Sequence, residues 1–463
     1  MQQRVPALWK HAKILPLHKK GNVLETKSYR PISILSPVSK ILERVIYNQL
    51  YSYFSENKLF HENAMGFRKH RSTLTAMLQM YDRWTRGAGQ GKISGVVLLD
   101  LSAAFDLVKP SILLKKLEVY GVKSDLIKWL ECYLSNRKQA VWVDHILSDW
   151  LDVEIGVPQG SILGPLLFII FANDLPYLLS CCLDQYADDS TLTSVKSSIA
   201  EINVDLAENC QIVSDWMHEN QLCLNIDKTH LMVCGTSQKL SRVKRSQAVN
   251  VTMDGVQLLE STDNSEKILG VHIQPNLKWK THCFELQARL KSRLAGLRKV
   301  RNILSLQKRK IVAQAIFQSV LSYCIALWGG ASKGDIEDLQ VLQNKAARFV
   351  LCDSWRLSRQ EMYKKLGWMT VYQLVVFHRI MAVYQIRRTG EPEYLSNLLS
   401  NDNNRGSLIV PHTGLTLVKN SFVFHGGELW NSVPPDIRHI QSVSMFKNKL
   451  KTWIFSNVGL FKC

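Results

Sequence analysis

The chain has no CxxC pair among its 10 cysteines, and Cys181 and Cys182 are adjacent. Neither a zinc site nor a disulfide framework is suggested, and a reducing compartment, nucleus or cytoplasm, is expected. The first residues, Gln2-Gln3-Arg4-Val5-Pro6, lack the apolar core of a secretion signal. The longest apolar run, residues 163–172, is short and broken by Pro165, so no membrane span is expected. Internal repeats and low-complexity stretches are also lacking. Acidic residues are scarce: 39 Asp and Glu stand against 58 Lys and Arg, a net charge of +19, which favours a polyanionic partner such as nucleic acid.

What is present is unevenly placed. Residues 1–75 hold 13 Lys and Arg against 4 Asp and Glu, residues 96–227 hold 8 against 19, and residues 228–330 hold 17 against 5. An acidic middle between basic flanks suits a metal-dependent enzyme acting on nucleic acid, since carboxylates gather cations at one point while basic surfaces hold phosphates on either side. With 463 residues the chain can form two to four globular units.

The acidic middle contains Tyr186-Ala187-Asp188-Asp189 between β-prone flanks. This pattern predicts a tight hairpin with an adjacent carboxylate pair at its tip, either a solvated turn or a place for divalent metal. Upstream, residues 95–99 form an uninterrupted apolar run that ends on the carboxylate of Asp100, which predicts a strand buried on both faces. Asp106 reads as a helix or turn cap. Gly156-Val157-Pro158-Gln159-Gly160-Ser161-Ile162-Leu163-Gly164-Pro165 predicts a stiffened loop whose glycines allow close backbone approach to a ligand or a tight structural turn. It leads into an apolar helix, which Asn173-Asp174 is expected to terminate.

Helices are predicted over 111–120, 126–134 and 198–217, with Ser72 or Thr73 capping another through Trp84. Basic residues near Ile14-Leu15-Pro16-Leu17 and Gly21-Asn22 suit a phosphate-gripping hairpin or a solvated face. A strand, two helices, a hairpin, a helix and a strand, in that order, permit Asp100 and Asp188 to converge. They could then hold two divalent cations roughly 4 Å apart for in-line phosphoryl displacement.

The Leu99-Asp100-Leu101-Ser102-Ala103-Ala104-Phe105-Asp106 segment, the Gly156 to Pro165 loop and Tyr186-Ala187-Asp188-Asp189, in this order, resemble the reverse transcriptases of non-LTR, LINE-class, Jockey-like retrotransposons. The likeness extends to Arg30-Pro31-Ile32-Ser33, Gly66-Phe67-Arg68, Arg71-Ser72-Thr73 and Trp430-Asn431-Ser432-Val433-Pro434. Leu269-Gly270-Val271-His272-Ile273 resembles the family's primer grip.

The resemblance implies an α+β right-hand polymerase. Its expected parts are fingers over 1–90, a palm with an antiparallel sheet and primer grip over 91–280, a helical thumb over 281–360 and a helical region of unknown role over 361–463. It implies RNA-directed DNA synthesis with two Mg²⁺ ions, or Mn²⁺, on an RNA template, a DNA primer and dNTPs, with no membrane. Asp100, Asp188 and Asp189 match the palm carboxylates, Asp100 and Asp188 being the principal metal ligands.

Phe105 matches the steric gate that excludes a ribose 2′-OH, which disfavours a viral-type RNA polymerase. Gln159 and Gly160 match the loop that positions template and nucleotide. Lys20 (or Lys19), Arg30 and Arg68 match substrate-binding fingers residues, and Lys228 matches the lysine that protonates departing pyrophosphate. Leucines 286, 290, 294 and 297 beside Arg289, Arg293, Arg298 and Arg301 predict a thumb helix against the duplex, extended by Lys308-Arg309-Lys310.

Two departures lie beside the site: Ala103 stands for the family's Lys, and Leu107-Val108-Lys109-Pro110 for its Thr-Val-Asp-His. The family's full elements also carry an endonuclease and further fingers sequence upstream. The expectation is therefore a truncated chain, with an inactive nucleic-acid-binding remnant as the alternative to an active polymerase.

Overall fold

The computed structural model describes residues 5–19, 21–244, 248–260, 265–352, 357–403, 407–410 and 413–457. The chain begins with a hairpin, β1 (His11–His18) against β2 (Tyr29–Ile34), followed by helices α1 (Pro37–Glu56) and α2 (Thr73–Gly89). Next come β3 (Ile93–Ser102), helices α3 (Pro110–Val119) and α4 (Ser124–Leu134), and β4 (Arg137–Val143) with β5 (Ile146–Leu147) and β6 (Leu151–Val153). Helix α5 (Leu163–Phe171), strands β7 (Cys182–Tyr186) and β8 (Asp189–Lys196), helix Ile199–Glu219, β9 (Cys223–Leu224) and β10 (His230–Cys234) complete this part.

Two sheets result. In one, β1 lies between antiparallel β2 and parallel β4, so residues far apart in the chain share a small basic sheet. The other runs β10-β3-β8-β7 with every pair antiparallel, the sheet expected of a palm. Alternation along its strands feeds two separate cores, because successive side chains point to opposite faces. Val96 of β3 and Met232 of β10 join a core with α2 and the later helices. Their neighbours Val97, Leu231 and Val233 join the other, with α3, α4, α5 and helix Ile199–Glu219.

Local chemistry agrees with these elements. Ser72 caps α2 in a reciprocal box with Thr75, whose hydroxyl accepts from the Ser72 N–H at 2.8 Å. α2 lies within the expected 1–90 unit but packs on the second sheet, where Trp84 Nε1 donates to Thr193 Oγ1 at 3.3 Å. Asn173 does more than end α5. Fully buried, it accepts from the His61 N–H at 2.8 Å and donates to the Leu59 carbonyl and Tyr120 hydroxyl.

Downstream, helix Lys280–Lys299 buries Leu286, Leu290, Leu294 and Leu297 and exposes Arg289, Lys291, Arg293, Arg298 and Lys299. The basic face is narrower than expected. Arg301 donates to the Cys352 carbonyl at 2.6 Å, and Arg309 to the carbonyls of Val350 at 2.9 Å and Leu304 at 2.7 Å. Both guanidiniums close helix ends, where unpaired carbonyls need donors. Helices 333–454 then pack around this stem and α2 in one continuous core. Among the described residues no single helix is long and apolar enough to cross a membrane.

The two faces of helix Lys280–Lys299 differ in their expected mutational cost. Leu290→Ala should destabilise the protein by about 2–5 kcal/mol, and Arg293→Ala by no more than about 0.5 kcal/mol, in urea unfolding.

Candidate active site

The carboxylates meet where β3 changes partner. Up to Asp100, β3 pairs with β8, and the register sets Asp100 directly across from Asp189. Beyond it, Leu101 and Ser102 pair with β9, and the Asn225 N–H donates to the Asp100 carbonyl at 2.9 Å. That switch carries the short turn Ile226–Lys228 to the site, so Lys228 Nζ lies 3.4 Å from Asp100 Oδ2. Asp188 occupies the tip between β7 and β8, exposed and next to Asp189.

The tip is a two-residue loop with Ala187 at φ +60°, a conformation that costs an L residue roughly 1–2 kcal/mol. Residues 63–66 hold it from below. The Met65 N–H donates to the Gln185 carbonyl at 2.7 Å, and the Gln185 N–H to the Asn63 carbonyl at 3.0 Å. Gly66 then passes so close that a Cβ there would stand 2.4 Å from the Ala187 nitrogen.

Three negative side chains share this edge. The Asp189 carboxyl is held above the usual carboxylate range by partial withdrawal from solvent, then by Asp188 and Asp100, against the opposing pull of Lys19 and Arg30. Lys19 and Arg30 thus belong to the electrostatics of the site, whereas Lys20 lies outside the described residues.

The loop from Gly156 to Pro165 is fastened on two sides. The Val157 N–H donates to the Phe105 carbonyl and the Gly156 N–H to the Val108 carbonyl, both at 2.8 Å. On the opposite side the Ser33 N–H of β2 donates to the Gln159 carbonyl at 2.8 Å, and a Cβ on Gly160 would meet the Ser33 carbonyl at 2.6 Å. Gln159 Nε2 donates to Asp106 Oδ2 at 2.7 Å. This corrects the reading of Asp106 as a cap: its carboxylate orients Gln159, with burial raising its pKa and that hydrogen bond opposing the rise. The half-buried Phe105 ring packs 4.7 Å from Phe168, on the same turn.

Arg68 departs from its expected role. Its guanidinium donates to the His61 carbonyl at 2.8 Å and the Ala64 carbonyl at 3.1 Å and lies over the Phe60 ring. Burial, with Arg71 nearby, lowers its pKa to about 10. Arg68 therefore shapes the loop under the hairpin, with Nη1 committed to two backbone carbonyls.

Two supports were not singled out from sequence. Glu43, almost fully buried in α1, accepts from the Ile162 N–H at 2.6 Å and anchors the glycine loop. Asp184, buried in β7, accepts from Gln79 Nε2 at 3.0 Å and pairs with Arg83. Neither stood out in sequence, because α1 also holds Lys40, Arg44, Asn48 and Gln49, and β7 holds Gln185 next to Asp184.

Among the described residues no three His, Cys, Asp or Glu side chains form a ready-made metal cage. The donor set nevertheless fits a hard divalent cation of the Mg²⁺ kind, which binds a few carboxylate oxygens and completes its shell with water and substrate phosphates. Burial is the main cause of the raised Asp189 carboxyl, and the neighbouring Asp188 and Asp100 add to it.

An antiparallel four-stranded sheet with paired carboxylates at one end of its two central strands, flanked by a basic sheet and a basic helix, defines a right-hand polymerase. The family model "Reverse transcriptase (RNA-dependent DNA polymerase)" matches residues 17–273, and the chain belongs to that family. Its relatives place it in the non-LTR, LINE-class branch. The "Probable RNA-directed DNA polymerase from transposon BS" of Drosophila melanogaster is 30% identical over 404 residues, covering 83% of this chain and 43% of the relative. The RNA-directed DNA polymerase from mobile element jockey of the same species is 26% identical, over 78% of this chain and 40% of its own. The chain thus spans less than half the length of these curated relatives. Among solved structures, apo telomerase from Candida Tropicalis aligns with 98% of this chain and 69% of its own at 10% identity and a TM-score of 0.45.

Gly66→Ala should force the loop and the Ala187 tip apart, lowering stability by about 1–3 kcal/mol in urea unfolding. A wild-type midpoint would show that the close approach does not support the hairpin.

Proposed function

We propose that this chain is an RNA-directed DNA polymerase that adds dNTPs to the 3′-OH of a DNA primer on an RNA template. The observation that carries the proposal is the convergence of Asp100, Asp188 and Asp189 where β3 changes partner, with Lys228 beside Asp100. Asp100 and Asp188, supported by Asp189, would hold two divalent ions, Mg²⁺ first and Mn²⁺ as a substitute. When bound, these supply charge neutralisation at the attacking and leaving oxygens.

The other roles follow from position. Arg30 and Lys19 stand on the basic hairpin that faces the carboxylates and would hold the triphosphate. Gln159, oriented by Asp106 and backed by Gly160, would line the nascent base pair. Lys228 would deliver a proton as pyrophosphate departs. Phe105, set against Phe168, offers an aromatic face with no polar partner for a 2′-OH, which favours deoxynucleotides. The exposed cations of helix Lys280–Lys299 would track the phosphates of the product duplex.

Primer extension on an RNA template with dNTPs and Mg²⁺ should yield DNA, and Asp188→Ala should reduce it by about a hundredfold to a thousandfold, the scale of losing one principal charge-stabilising group. Undiminished synthesis by Asp188→Ala would remove the metal assignment. Phe105→Ala should raise rNTP incorporation relative to dNTP, and unchanged selectivity would end the gate role. Arg293→Ala should weaken duplex binding and reduce the slope of log affinity against log salt by about one unit.

A further inference from the structure

We propose that the segment around Glu391 and Tyr394, more than 200 residues beyond the hairpin in sequence, is a brace that positions the carboxylate tip through α2. Asp184 sits four residues before Asp188 and is the buried polar anchor of β7. Its two oxygens take Gln79 Nε2 at 3.0 Å and the Arg83 guanidinium. Gln79 and Arg83 also donate to Asn63 Oδ1, at 2.8 and 3.0 Å, in the strip that pairs with Gln185. One face of α2 therefore fixes both the hairpin base and the strip beneath its tip.

The 391–394 segment packs on the same arginine and on its neighbour Asp82. Arg83 lies 4.9 Å from the centre of the Tyr394 ring, and the Tyr394 hydroxyl donates to Asp82 Oδ2 at 2.9 Å. A guanidinium held between a carboxylate and an aromatic face has little rotational freedom and little water around it. Arg71 makes a second strut. Its side chain is 2% exposed, its Nε donates to Glu391 Oε2 at 2.9 Å, and its Nη1 donates to the Glu62 carbonyl and, at 3.3 Å, to the Ala64 carbonyl. Two arginines thus join the C-terminal segment to the two layers that carry Asp188. Glu391 and Tyr394 act on the hairpin only through Arg71, Asp82 and Arg83, so both are positioning residues. Their effect on synthesis rests on the polymerase reading above, but their effect on the hairpin does not.

Hydrogen exchange of the 463-residue chain tests the brace directly. Tyr394→Leu and Glu391→Gln should each speed amide exchange in residues 182–196 by roughly tenfold, leaving residues 199–219 unchanged. Tyr394→Phe keeps the ring over Arg83 but loses the hydroxyl bond to Asp82, and should recover only part of the protection. In primer extension the same two variants should lower kcat and leave KM for dNTP unchanged. Unchanged exchange at the hairpin in both variants would overturn the brace. So would an equal rise in residues 199–219, which would indicate general loosening. Because exchange is read without synthesis, an inactive wild type would count against the polymerase and leave the brace still tested.

Discussion

Asp100, Asp188 and Asp189 repel one another, and the protein holds them together at an edge where two strands already part company. Several otherwise unfavourable choices answer to that constraint. Ala187 takes a left-handed conformation, Gly66 gives up its side chain to pass beneath the tip, and Asp184 is buried as a charge. Compensation is partial by construction. Lys228 faces Asp100, and Lys19 and Arg30 oppose the field at Asp189, while burial and then the neighbouring carboxylates keep the Asp189 carboxyl above its ordinary range. A site neutralised outright by protein cations would have no electrostatic reason to attract a divalent ion.

The sheet turns this local constraint into a global arrangement. Val96 and Val97 are adjacent in β3 yet belong to different cores, so the carboxylate edge is clamped from both faces. Each core brings its own basic surface. Beside one lies the β1–β2 hairpin, fastened to the glycine loop through Ser33 and Gln159. The other extends into helix Lys280–Lys299, whose leucines bury and whose arginines face solvent. The acidic middle and basic flanks of the sequence become a negative edge between two positive walls.

The strand ending near Asp100, the hairpin at Asp188 and the leucine stripe from Leu286 to Leu297 were all legible in the sequence. Each is written in a local period or in turn chemistry. The uses of individual charges were less legible. Arg68, Arg301 and Arg309 read as cations for nucleic acid because their neighbours are basic, but their guanidiniums satisfy backbone carbonyls. Sequence counts a charge without showing whether a chain end or a phosphate receives it. Asp106 posed the same difficulty in reverse: a turn next to it suggested a cap, while its partner, Gln159, lies 53 residues away.

The region beyond residue 361 shows the limit most clearly, because its ties to the hairpin lie in contacts at long separation. Glu391 reaches Arg71 across 320 residues and Tyr394 reaches Asp82 across 312, and neither pairing leaves a periodic trace. Apolar packing alone would attach this region to α2 through the shared core, since burial is favourable in many orientations. Paired charges and an oriented hydroxyl are less tolerant, because a shift that breaks one leaves a buried group unsatisfied. A helix that must hold Asp184 in register, and through it the tip that carries Asp188, gains more from this directional restraint than from additional apolar area.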